Sequence, residues 1–99
     1  MVVDRNVFQV KFGRMREALA LWKEVPEMAR AAKGVRGVRI MTDVTGPAYT
    51  LVAEFSYDSL ADFERSSHET MNNADWRAWY AKVVPLMDSS TRQLLTVVA

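Results

Sequence analysis

The sequence predicts an α+β fold, β-α-β-β-α-β, with a four-stranded antiparallel sheet in the order 4-1-3-2 and two helices on one face. Three observations carry that expectation. An opening stretch alternates in hydrophobicity, a strand–turn–strand pair fills the middle, and two apolar stripes recur at helical spacing on either side of that pair. Right-handed crossovers then place both helices on the same side of the sheet. No linker, repeat or low-complexity segment divides the chain, so residues 1–99 read as one domain.

The first strand is read from "VFQVKF" (7–12), where Phe8, Val10 and Phe12 point one way and Val7, Gln9 and Lys11 the other. Gly13 ends it. Residues 14–34 carry the first helical stripe: Met15, Ala18, Leu19, Trp22, Val25 and Ala29. Pro26 lies inside this segment and should kink or divide it, and Lys33-Gly34 should close it. Residues 37–57 form the hairpin. Val38, Ile40, Thr42 and Val44 alternate with Arg39, Met41 and Asp43; "TGP" turns the chain; Tyr49, Leu51, Ala53, Phe55 and Tyr57 then alternate with Thr50, Val52, Glu54 and Ser56. The second helix starts at 58–71, capped by Asp58 or Ser59, with Asp62 placed to bond back toward Ser59. "NNAD" interrupts it, Asn73 caps a fresh start, and Trp76, Trp79, Tyr80, Val83 and Met87 follow at spacings of three and four. Pro85 and "DSS" mark a fraying end, and "TRQLLTVV" (91–98) is the last strand.

Composition excludes several classes. The chain is 49% hydrophobic, too apolar for disorder. Its net charge of +1 argues against a dedicated nucleic-acid binder. It has no cysteine and one histidine, which excludes disulfides and thiolate chemistry, disfavours a metal site, and suits a cytoplasmic setting. "MVVDRNVFQVKF" has no basic leader and apolar run, so no signal peptide is expected, and no apolar stretch is long enough to span a membrane. There is no glycine-rich phosphate loop and no serine-nucleophile elbow.

Helices shelter one face of such a sheet. With the aromatic sets turned toward them, the open face carries Val7, Gln9, Lys11, Met41, Thr50, Val52, Glu54 and Ser56. Half of these are apolar, so a second copy of the chain is expected to cover them, giving a homodimer joined through the open sheet face.

The element order, together with "SLADFERSSHETMNNADWRAWYAKVVPLM" followed by "TRQLLTVV", resembles the dimeric α/β-barrel superfamily of ferredoxin-like subunits. Within it the chain is most similar to the small NIPSNAP-like and antibiotic-biosynthesis-monooxygenase-like proteins. The likeness lies in an aromatic just after a break in the second helix (Trp76), in Trp79, in Pro85-Leu86, and in "GVRGVRI" before the second strand. These are packing signatures and do not name a reaction. The superfamily's heme-degrading members use a histidine in the second-helix region, an asparagine near the first strand and a tryptophan. That likeness points to His68, Asn6 and Trp76, although the motif around them is not matched.

The expected function is binding of a small apolar or aromatic molecule between sheet and helices, in a pocket drawn from Phe8, Trp22, Tyr49, Phe55, His68, Trp76, Trp79 and Tyr80. An enzymatic version would be a cofactor-free monooxygenase or isomerase with His68 or Glu54 as base. The alternatives are a non-catalytic ligand-binding or structural dimer and a heme protein. No cofactor is required by the leading reading. For Glu54, set in an apolar strand, an ion pair with Lys11 or Arg39 competes with the catalytic role.

Overall fold

The computed structural model describes residues 1–99. The strands are β1 (Val2–Val10), β2 (Val35–Thr42), β3 (Thr50–Tyr57) and β4 (Met87–Thr96). They form one antiparallel sheet in the order β2-β3-β1-β4, which is the expected topology. Each expected helix is in two pieces: α1 (Met15–Trp22) with α2 (Val25–Arg30), and α3 (Leu60–Met71) with α4 (Ala74–Val83). No helix is long and apolar enough to cross a membrane.

The helix breaks have local causes. Pro26 occupies the first turn of α2, where its missing N–H costs no helical bond, and so divides the segment rather than kinking it. Ser59 caps α3: its hydroxyl oxygen accepts from the Asp62 amide, and the hydroxyl donates to the Asp62 carboxylate. Asn73 restarts the chain as α4 by accepting from the amides of Asp75 and Trp76, at 2.9 and 3.1 Å.

Strand boundaries differ from the sequence reading at both ends of the chain. β1 begins five residues earlier than Val7 and ends at Val10, leaving Phe12 exposed at the side of Tyr49. β4 begins at Met87, so the "DSS" segment is strand rather than fraying helix end. The cause is shared. β1 is central and pairs along its length with β4, and that ladder overrides the weak strand preference of Asp88, Ser89 and Ser90. The register shift between Gln9 and Val10 takes up the extra residue. In the hairpin, Val44 falls in the loop and is fully exposed, while Tyr49 turns the chain into β3 with φ of 61°.

Alternation along the sheet sets two faces. Val10, Leu51 and Ala53 point toward the helices and are buried with Ala18, Trp22, Val25, Trp79, Val83 and Leu86. The rotation of α4 differs from expectation. Trp79 and Val83 face the core with Trp76 half-buried beside them, whereas Tyr80 is 61% exposed. An aromatic chain runs through the middle of the layer. Phe8 meets Trp22 at 5.0 Å, Trp22 meets Trp79 edge-on at 4.8 Å, and Trp79 meets Trp76 edge-on at 5.7 Å. Trp79 Nε1 also donates to the Leu21 carbonyl at 2.8 Å, joining α4 to the last turn of α1.

Trp79→Phe keeps a ring but removes that donor, and should cost about 1–3 kcal/mol. Trp79→Ala should cost about 3–5 kcal/mol. Urea unfolding checks both, and equal costs would mean that the indole N–H contributes nothing.

Candidate functional site

The helix-facing side of the sheet changes character along its strands. Inward residues of β1 run Val10, Phe8, Asn6, Asp4; those of β3 run Leu51, Ala53, Phe55, Tyr57; those of β4 run Met87, Ser90, Arg92. One end is therefore dry and tightly packed, and the other is polar. Between the polar end and the helices lies a cleft of about 780 Å³. Phe8, Trp22, Phe55, Trp76, Trp79 and Tyr80 supply its aromatic wall. Helix α3 adds Ser66, Ser67, Thr70 and Met71, and α4 adds Arg77.

The charged group in the depth of the cleft is an ion pair. Asp4, 5% exposed, accepts from Arg92 Nε at 2.9 Å and from Arg92 Nη2 at 3.1 Å. Both hydrogen bonds are charge-assisted and share one planar fork. The guanidinium carbon stands 5.1 Å from the centre of the Phe63 ring, and Phe63 meets Tyr57 edge-on at 5.5 Å. The hydrogen bond from Asp4 raises the Arg92 pKa further, so the side chain stays cationic. Burial pushes the Tyr57 phenol up; Ser66 opposes this through a hydrogen bond, Asp4 adds to it, and Arg92 opposes it. Tyr57 is thus a neutral hydroxyl at physiological pH. Trp22 Nε1, in the wall of the same cleft, has no hydrogen-bond partner although the residue is buried.

The structure brings together Phe8, Trp22, Phe55, Trp76, Trp79 and Tyr80 as the sequence suggested. Tyr49 lies apart, against Phe12 at the hairpin end. His68 is exposed on α3 and does not line the cleft, although its neighbours Ser67 and Thr70 do. Asn6 and Trp76 are in the cleft without it. Because the chain's one histidine stands outside, these residues do not fit a histidine-ligated heme in this cavity. Asp4, Tyr57, Ser66 and Arg92 were missed. The available signal was parity: once β1 extends back to Val2, Asp4 and Asn6 fall on the same face as Phe8 and Val10.

Glu54 sits on the opposite face of the sheet from the cleft, at the centre of β3. Arg39 donates to Oε1 and Arg5 to Oε2, each at 2.6 Å. Arg39 was expected as a partner; Arg5 takes the place of Lys11, which lies beyond the end of β1. The hydrogen bond from Arg39, helped by Arg5, holds the Glu54 carboxyl below its ordinary range, against the effect of burial. That makes it a persistent anion and a poor proton acceptor. A carboxylate whose pKa falls on folding adds stability above its unfolded value of about 4.3 and loses it as pH drops through the folded value. Glu54→Gln should therefore be less stable than the parent at about pH 7, with the gap closing as pH falls below about 4. Unfolding curves across that range check it, and a pH-independent gap would contradict it.

The NIPSNAP family model matches residues 4–99. No curated protein matches the chain significantly. Among solved structures, an uncharacterized NIPSNAP domain protein from Burkholderia xenovorans is similar at 19% identity with a TM-score of 0.84, over 100% of this chain and 96% of that one. A NIPSNAP family protein from Agrobacterium tumefaciens is 21% identical with a TM-score of 0.84, over 98% and 85%. A candidate antibiotic biosynthesis monooxygenase from Nitrosomonas europaea is 16% identical with a TM-score of 0.83, over the whole of both chains. At such identities the structural likeness speaks for the fold, the ferredoxin-like arrangement derived above. The family match extends from the strand that carries Asp4 to the end of the chain, and by it the chain belongs to the NIPSNAP family.

Proposed function

We propose that the protein is a cytoplasmic homodimer that holds a small, planar, largely apolar molecule in the cleft between sheet and helices. The observation that carries this reading is the cleft itself. Its volume of about 780 Å³ falls within the roughly 300–1,000 Å³ usual for small-molecule sites. Its wall is mainly aromatic, and its polar groups are gathered at one end. That combination suits a flat ring system with one polar edge.

Binding is favoured over catalysis by the state of the titratable groups. Asp4 is tied to Arg92 through both oxygens, Tyr57 is held neutral, and His68 and Glu54 lie outside the cleft. A cofactor-free oxygenation or isomerisation needs a base within reach of an activated proton. The cleft offers none that is unengaged.

Ser67 lines the cleft from α3 and is half-buried. Ser67→Phe should fill the space and weaken binding of 2-naphthol, a neutral planar probe, by roughly tenfold or more while leaving the fold intact. Quenching of tryptophan fluorescence measures the affinity and circular dichroism the fold. Failure of 2-naphthol to bind the parent protein would leave the structural-dimer reading in its place.

Dimerisation is supported by the other face. Val7, Val52 and Met41 lie side by side across three strands, with Val3 and Leu95 nearby and nothing in the chain to cover them. Light scattering should give twice the 11.3 kDa chain mass, and Val52→Arg, which adds a cation between Arg5 and Arg39, should give the single-chain mass. A parent that runs as single chains would contradict it.

A further inference from the structure

We infer that the ligand is an aromatic acid, carrying a carboxylate or an acidic enolate, and that Arg92 binds the ionised oxygen while Asp4 acts as its positioning residue. This rests on the cleft being a ligand site.

The charges of the cleft point to an anion. Its charged lining residues are Asp4, Arg77 and Arg92. Asp4 is neutralised by the bidentate bond to Arg92, which leaves one cation in excess. A guanidinium has five N–H donors, and Asp4 accepts from Nε and Nη2 only. The remaining donors, Nη1 among them, have no partner within the protein. Arg92 is also unevenly exposed relative to its partner. Its side chain is 55% exposed where that of Asp4 is 8%, so the carboxylate is sealed behind the guanidinium and the guanidinium still faces open space.

The fork is held in place on two sides. Asp4 fixes the in-plane edge, and the Phe63 ring stands 5.1 Å from its centre. A cation held this way binds an anion at lower entropic cost than a free surface arginine. Two neutral donors share the cleft. The Tyr57 hydroxyl remains protonated, and Trp22 Nε1–H has no partner. Both favour an acceptor oxygen on the ligand. The aromatic wall from Phe8 to Trp76 supplies the remainder of the contact area.

The test uses 2-naphthoate and its neutral isostere 2-naphthamide, titrated against tryptophan fluorescence. The parent protein should prefer naphthoate by roughly tenfold or more, the usual effect of a charge-assisted hydrogen bond. Arg92→Gln alone would leave Asp4 buried without its cation and risks unfolding. The double variant Asp4→Asn/Arg92→Gln removes both charges and keeps the shapes. It should bind naphthamide as the parent does and lose the preference for naphthoate. Arg92→Lys should recover part of the preference, since a cation returns without the fork. Equal binding of the two probes by the parent, or a preference that survives in the double variant, would overturn the inference while leaving the cleft a ligand site. Binding of neither probe would overturn both.

Discussion

The helical layer depends on the Trp79 indole. Its N–H reaches the Leu21 carbonyl, at the end of α1 where helical partners run out. Its ring meets Trp22 and Trp76 edge-on. One side chain thus joins the second half of the broken second helix to the first helix and sets how closely the two approach over β1. With that spacing fixed, the dry end of the sheet closes around Val10, Leu51, Val25 and Leu86. The polar end does not close, because Asp4, Tyr57, Ser66 and Arg92 stand there in place of apolar side chains. The cleft is the gap that results.

An inward-facing aspartate on a central strand is costly unless something compensates it. Arg92, diagonally across the β1–β4 pair, supplies the compensation with a bidentate bond. A well-packed apolar pair at the same positions would often serve stability as well or better. The retention of charge here is understandable if the guanidinium has a second task, and its unpaired donors face the space that the aromatic wall encloses. The ion cluster on the opposite face, Arg5–Glu54–Arg39, differs in kind. Both carboxylate oxygens are used and the acid is held ionised, which fits a fixed electrostatic element of a covered surface rather than a reactive group.

The fold was legible because strand and helix periods are strong local signals. Alternation in residues 50–57 placed Leu51, Ala53, Phe55 and Tyr57 on one face and Glu54 on the other, and the sheet order followed from crossover rules. Pro26, Ser59 and Asn73 marked helix ends because their effects are confined to one turn. The ends of β1 and β4 were less legible. "VDRN" and "DSS" have weak strand preference and become strand through pairing with each other's neighbours. The same difficulty hid the polar part of the cleft, since Asp4 and Arg92 are separated by 88 positions and meet only once the ladder forms. Sequence reasoning favoured His68 for its chemistry, but the rotation of α3, which turns Ser66 inward, leaves that residue in water.

The account holds that a single polar end of one cleft orients a flat acidic ligand. A crystal structure of the protein with bound 2-naphthoate tests it most directly. The ring should lie along Trp22, Trp76 and Tyr80, with a carboxylate oxygen at hydrogen-bond distance of Arg92 and the Asp4–Arg92 bond intact. A naphthoate seated on the open sheet face, or one in the cleft with its carboxylate turned out to solvent, would contradict it.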